Sequence, residues 1–399
     1  MDLRDSPGRR RVVHITDSFV RPSTPWIYDT VTALTDYSVT VLCDVHTGKG
    51  QFPFPDVRET LPLVHRYGRL WLQGIFHSRL GIRLPLFNPW ASALRKSAPL
   101  ADLYHAHFGP NGWRAVDAGL RPVITSFYGF DASIKMLLAQ WREAYTELFT
   151  YGAGFIVEGP ALRRTLIDLG APQERVSICP LPADLSNCVW RPPRSTDNPV
   201  VLMAGRFVEK KGFEDGIQAF AGLNHPRARL TIMGDGPLAR RLETLVSRLG
   251  LVHRTRFLPF AGRAQYRTTM ANADIFLQPS RTAQDGDSEG GAPTTLLDAQ
   301  AIGLPVITTD HADIPFVVDP SASEIAKEHD AADLTRALAR VLNDPSSWIE
   351  RSRRQRAHVE RQHGQSAFTY SLRQAYDSAL STGRNGDSRG ALKRADLSL

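Results

Sequence analysis

Two cations, Arg206 and Lys211, stand in the stretch Gly205-Arg206-Phe207-Val208-Glu209-Lys210-Lys211-Gly212, between the apolar run Val200 to Ala204 and an amphipathic segment from Phe213. Glycine at a strand end lets backbone approach a ligand closely. Arginine offers phosphate oxygens a planar fork, lysine a compact charge. The amides that open the following helix add positive potential. Together these groups suit a departing diphosphate, which gains negative charge as its bond breaks. A solvated basic turn has the same composition.

Two further stretches repeat the pattern. Ile232-Met233-Gly234-Asp235-Gly236-Pro237-Leu238 runs from strand to helix, and Gly234 and Gly236 allow a tight turn with close backbone access, as a plain turn also would. In Asp285-Gly286-Asp287-Ser288-Glu289-Gly290-Gly291-Ala292-Pro293 a glycine pair precedes a proline at the first turn of a helix. The amides around Gly290, Gly291, Ala292 and Thr295 suit phosphate or sugar oxygens. Glu289 can accept bonds from sugar hydroxyls, and Asp298, inside the helix, can reach a ribose diol. A structural account makes Glu289 a dipole partner and Asp298 a surface or capped carboxylate. Three such sites at strand-to-helix junctions of one domain weigh against it.

The elements that position these residues alternate. Strands are predicted at Arg11 to Thr16, Ser38 to Cys43, Leu103 to Ala106, Pro122 to Phe127, Phe155 to Glu158 and Val176 to Cys179, with helices between several of them. After a proline-rich, polar stretch a second series begins at Val200 and ends with a strand at Pro305 to Thr309. Strands alternating with helices predict α/β domains with parallel sheets covered on both faces. The expected organisation is a first domain over 1–183, a linker over 184–199, a second domain over 200–345, a helical segment over 346–380 bent near Gly364, and a disordered tail over 381–399. Two such domains form a cleft between strand ends, where ligands of open α/β sheets bind.

Composition bounds the function. The chain has 399 residues, 42% hydrophobic and 22% charged, as in an ordinary globular protein long enough for two cores. No window approaches eighteen consecutive apolar residues, and the amino terminus lacks a secretory apolar run, so a cytoplasmic protein is expected. Cys43, Cys179 and Cys188 are too few for a disulfide framework and lack metal-ligand spacing. The net charge of +7 favours anionic partners modestly, and no nucleic-acid recognition motif is present. Between Glu59 and Asp102 there is no acidic residue, while Arg66, Arg69, Arg79 and Arg83 lie among Trp71, Phe76 and Trp90. That interleaving suits the inner face of an anionic membrane, or an ordinary solvated face whose aromatics point inward.

The order GRFVEKKGFEDGIQAF, LTIMGDGPL, PS and EGGAPTTLLDAQAIGLPVITTDHADIP resembles the retaining glycosyltransferases of family 4, in particular members that build bacterial exopolysaccharide and surface glycans. DLYHAHFGPNGW and TSFYGFDAS extend the resemblance into the first half. It implies a GT-B architecture, two Rossmann-like domains facing across a cleft, with the C-terminal helix packing back toward the first. It also implies a nucleotide-sugar donor, a glycan or lipid-linked acceptor, no cofactor and no metal. By the same resemblance Arg206 and Lys211 hold the pyrophosphate, Glu289 and the Gly290-Gly291 backbone face the sugar, and Asp298 binds the ribose. Two departures stand out. Glu289 and Asp298 enclose eight residues rather than seven, and the second acid is one methylene shorter. Tyr128 occupies the place of a histidine common in the family. His107 is then a candidate for polar contact near the reacting centre, and Asp131 either caps a helix or binds acceptor. A nucleotide-sugar epimerase, or a catalytically silent nucleotide-sugar-binding subunit, would carry a similar grip.

Overall fold

The computed structural model describes residues 9–21, 24–60, 89–194, 196–260, 262–291 and 293–395. The stretch carrying Arg66, Arg69, Arg79 and Arg83 lies outside the described residues, as does Ala292.

Seven strands form the first sheet: β1 (Arg11–Phe19), β2 (Ser38–His46), β3 (Val57–Glu59), β4 (Leu103–His107), β5 (Val123–Ser126), β6 (Gly154–Val157) and β7 (Val176–Ile178). Six form the second: β8 (Val200–Ala204), β9 (Arg229–Met233), β10 (Thr255–Leu258), β11 (Ile275–Gln278), β12 (Val306–Thr309) and β13 (Glu324–Ala326). The orders are β3-β2-β1-β4-β5-β6-β7 and β10-β9-β8-β11-β12-β13, and β1 pairs β2 and β4 in parallel just as β8 pairs β9 and β11. Each sheet reverses its winding between its first and fourth strands, which opens a crevice beyond their carboxyl ends. The central strands are short apolar runs because both faces are covered. Every residue of β4, β5, β6, β11 and β12 is buried.

Val13, Ile15, Phe127, Leu148 and Phe155 anchor one core; Met203, Phe213, Ile217, Phe220 and Leu338 anchor the other. Between the sheets, the described residues among 179–199 contain neither helix nor strand, yet Leu181, Ala183 and Cys188 are buried against the second domain. The helix Trp348–His363 stops at Gly364, where a Cβ would meet the Glu360 carbonyl oxygen at 2.4 Å. The next helix, Gln365–Ala395, returns to the first sheet. Its Phe368, Leu372, Tyr376 and Ala379 recur at helical spacing and pack with Val12, Leu103 and Ile124. That helix corrects the expected tail as far as Ala395. The helix runs on through the poor helix formers Gly383, Gly386 and Gly390 to Ala395, with no proline beyond Leu380 to stop it.

Candidate functional site

A cavity of about 960 Å³ opens between the two domains and takes residues from both. On the second-domain side Gly205, Arg206 and Lys211 follow β8, Gly234 follows β9, and Glu289 and Asp298 follow β11. On the first-domain side Asp29, Tyr128 and Glu158 line it. The strand-to-helix junctions thus converge as the sequence predicts. Gly212, which opens the helix Phe213–Ala221, has φ 62°, and a Cβ there would overlap the Pro279 carbonyl oxygen at 1.7 Å. Only glycine lets this helix start so close to the end of β11.

Lys211 Nζ lies 2.9 Å from the Glu289 carboxylate, and the Ser280 hydroxyl donates to Glu289 at 2.7 Å. The two side chains are 12% and 6% exposed. Burial alone would raise Glu289, but the charges of Lys211 and Lys210 and the bonds from Lys211 and Ser280 outweigh it and hold the carboxyl at about 2. Burial pulls Lys211 down, against the pull of Glu289. Arg206 differs. It is exposed at the cavity wall, and its guanidinium makes no hydrogen bond or ion pair among the described residues. Of these two cations, then, Lys211 is paired with an internal acid and Arg206 holds its fork open to an anion.

Lys210, outside the sequence-derived set, is 6% exposed and donates to Asp287 at 2.9 Å and to the Ser288 carbonyl at 2.8 Å, tying the β8 loop to the Glu289 loop. His311 holds that loop from behind. The Glu289 backbone N–H donates to His311 Nε2 at 3.1 Å, so Nδ1 carries the proton and donates to Glu328 at 2.7 Å. Asp298 accepts from the Tyr266 hydroxyl at 2.9 Å and contacts Cys188 Sγ at 3.7 Å. Burial raises its carboxyl to about 6 despite the Tyr266 bond.

Several predicted residues sit elsewhere. The Gly290 amide donates to Ser288 Oγ and the Gly291 amide to the Glu289 carbonyl, so neither is open to a phosphate, and neither glycine lines the large cavity. Both press on the first domain instead. A Cβ on Gly290 would meet Gly129 Cα at 2.2 Å, and one on Gly291 would meet Glu158 Oε2 at 1.6 Å. Gly236 packs on the Phe207 backbone, where a Cβ would meet the carbonyl oxygen at 2.7 Å, and also lies off the cavity. Asp131 is buried and accepts from the Gly109 and Tyr128 amides, at 2.9 and 3.0 Å; it pins two loops and does not reach the cavity. His107 is fully buried behind Tyr128, its Nδ1 2.7 Å from the Tyr128 hydroxyl. Tyr128 itself lines the cavity.

The domains touch around this loop. Asp313, from the second domain, accepts from the Ala161 and Leu162 amides at 2.5 and 3.0 Å and so caps the helix Pro160–Asp168 of the first. The Ser288 amide donates to Ser133 Oγ at 3.3 Å. Glu158, Tyr266, His311 and Asp313 escape sequence reading because each acts on a segment remote from itself. Only the GGAP and HADIP stretches carry a local signal of them.

Two Rossmann-like domains facing across a cleft make the GT-B architecture. The crystal structure of Anabaena HepE in complex with UDP and glucose superposes with a TM-score of 0.74 over 93% of this chain and 100% of that one, at 17% identity, a likeness of fold. Residues 189–360 match the family described as glycosyl transferases group 1. A protein of Salmonella typhimurium named as the colanic acid biosynthesis glycosyltransferase WcaL is 31% identical over 70% of this chain and 71% of its own length. Its Escherichia coli namesake is 32% identical over 60% of this chain, and the match spans 61% of that relative's length. The chain belongs to the group 1 glycosyl transferases, and glycosyl transfer is its class of activity.

Proposed function

We propose that this chain moves a hexose from a nucleoside-diphosphate sugar to a glycan or lipid-linked acceptor during assembly of a bacterial exopolysaccharide, with retention of anomeric configuration. The observation that carries the reading is the pairing of an unpartnered Arg206 with the Lys211–Glu289 ion pair on one cavity wall, opposite Tyr128. Relatives named for colanic acid biosynthesis and a neighbour seen with UDP and glucose support the substrate classes. In this mechanism the diphosphate lies against Arg206, with Lys211 adding positive potential behind it. As the glycosidic C–O bond breaks, charge builds on the leaving oxygen and these cations stabilise it. The acceptor hydroxyl attacks the anomeric carbon on the face the diphosphate leaves, and its proton passes to the leaving oxygen. Glu289 orients sugar hydroxyls, and Asp298 accepts from the ribose diol. With two side-chain cations supplying the charge, the reaction proceeds without a metal or cofactor.

Incubating the protein with UDP- and GDP-hexoses and membrane or glycan extracts tests the reading. Release of nucleoside diphosphate with transfer of label to glycan, unchanged by EDTA, is expected. Interconversion of the donor sugar without transfer, or binding without turnover, would overturn it. We place the protein in the cytoplasm, peripheral on the inner membrane face through Arg66, Arg69, Arg79 and Arg83. Neutralising Arg66, Arg69 and Arg79 should weaken binding to anionic vesicles at low salt, and unchanged binding would refute that placement.

A further inference from the structure

Behind Tyr128 runs a chain of polar side chains that the donor grip does not use. The Tyr128 hydroxyl meets His107 Nδ1 at 2.7 Å, and His107 Nε2 meets His14 Nδ1 at 3.0 Å. His14 Nε2 meets the Tyr376 hydroxyl at 3.5 Å, which meets His105 Nδ1 at 2.8 Å, and His105 Nε2 meets Ser126 Oγ at 2.7 Å. All six ring nitrogens are engaged, and Ser126 also hydrogen-bonds the Tyr128 hydroxyl, so the run of hydrogen bonds leads back to Tyr128. The three imidazoles are 2%, 0% and 0% exposed, and burial holds each well below its usual range, so each is neutral.

A neutral imidazole has one donor and one acceptor nitrogen. A proton on one nitrogen of His14 therefore dictates which nitrogen of His107 can carry one. That choice dictates in turn whether Tyr128 donates to His107 or accepts from it. When Tyr128 donates to His107, its oxygen keeps only lone pairs for other partners; when it accepts, its O–H is free to turn to Ser126 or to the cavity. Tyr128 lines the cavity, and its neighbour Gly129 touches Gly290, the residue after Glu289. This puts the end of the chain beside the loop assigned to the sugar.

We propose that His107 and His14 are positioning residues that fix the hydrogen-bonding role Tyr128 offers to the donor sugar, and that Tyr376 of the C-terminal helix links them to His105 and Ser126. The inference rests on the nucleotide-sugar reading above. It explains why His107 is near the reacting centre in sequence yet shut away from the cavity: it acts through Tyr128.

The test is a double-mutant cycle on binding, using UDP-glucose and GDP-mannose against UDP and GDP. Tyr128→Phe removes the hydroxyl. His107→Gln keeps a group near the Nε2 position and loses the Tyr128 bond, whereas His107→Asn keeps a group near Nδ1. Tyr128→Phe and His107→Gln are each expected to weaken the nucleotide-sugar about fivefold to tenfold, the worth of one neutral hydrogen bond, while leaving nucleoside diphosphate binding unchanged. The double variant should lose no more than either single one, and His107→Asn should recover part of the loss. Tyr376→Phe, made far from the cavity, should give a smaller loss of the same sign. Unchanged diphosphate binding also reports that each variant is folded. Multiplying losses in the double variant, or equal losses for sugar-bearing and sugar-free nucleotides, would overturn the chain's role alone. If the wild type bound neither nucleotide nor nucleotide-sugar, the donor reading would fail and this inference with it.

Discussion

At the donor end, one cation is paired and one is open, and the two respond differently to loss. Arg206→Ala removes a fork that has no partner among the described residues, so the fold should hold while turnover falls at least roughly two orders of magnitude. Lys211→Ala should lower turnover similarly, and it also leaves Glu289 buried without its ion pair, a loss of about 3–5 kcal/mol in stability. Denaturant titration beside steady-state assays separates the two variants. Equal stability of both would contradict the pairing. Glu289, held at about 2 against about 4.3 unfolded, contributes stability that is complete above the unfolded value and is lost as pH falls through about 2. Asp298 runs the other way. Held up at about 6, it is increasingly protonated as pH falls through 6, and a protonated acid is a poorer acceptor for a ribose diol. Nucleotide affinity should therefore decline below about pH 6 in the wild type and stay flat in Asp298→Asn, by calorimetry. Arg206, Lys211 and Glu289 were legible because charge beside glycine at a strand-to-helix junction is a local pattern. His107 and Asp131 were visible as residues but not as roles, since whether a strand-end side chain meets the cavity or the interior depends on segments far along the chain.

At the level of elements, the sequence located most strands to within a few residues, including Leu103–His107, Val176–Ile178 and Val200–Ala204. Short runs closed by a nearby glycine or proline leave little choice of state. The edge strands β3 (VRE) and β13 (EIA) went unseen because charge interrupts their three residues, whereas the equally short edge strand β7 (VSI) carries none. The loop after Glu289 was read as an anion cradle, whereas the structure spends its glycines on contact with Gly129. That role makes a sharp prediction. In Gly290→Ala the new methyl would have to displace backbone of the other domain, so the cleft should open and transfer should fall at least about tenfold, a small misplacement of reacting groups being costly. Each domain's own core is untouched, so far-ultraviolet dichroism should be unchanged. Small-angle scattering would show the opening, and a wild-type profile with full activity would contradict the contact's role.

Across the whole molecule, the chain crosses between domains at residues 179–199 and returns through the helix after Gly364, so the first domain's sheet is completed by the last long helix. Leu372 is 1% exposed there, and Leu372→Ala should cost about 2–5 kcal/mol of stability by leaving a cavity beneath the β1–β4–β5 sheet. The same helix carries Tyr376, which joins global packing to the chain of histidines behind Tyr128. The second domain thus presents Arg206 and Lys211 to the cavity, and the first presents Tyr128 beside Asp29 and Glu158. The central claim is that Arg206 grips a diphosphate. It is tested most directly by titrating UDP against UMP, and GDP against GMP, into the wild type and Arg206→Ala. The wild type should prefer the diphosphate by about tenfold or more, the worth of one charge-assisted hydrogen bond, and that preference should collapse in the variant. An Arg206→Ala protein that kept the full preference would contradict the account.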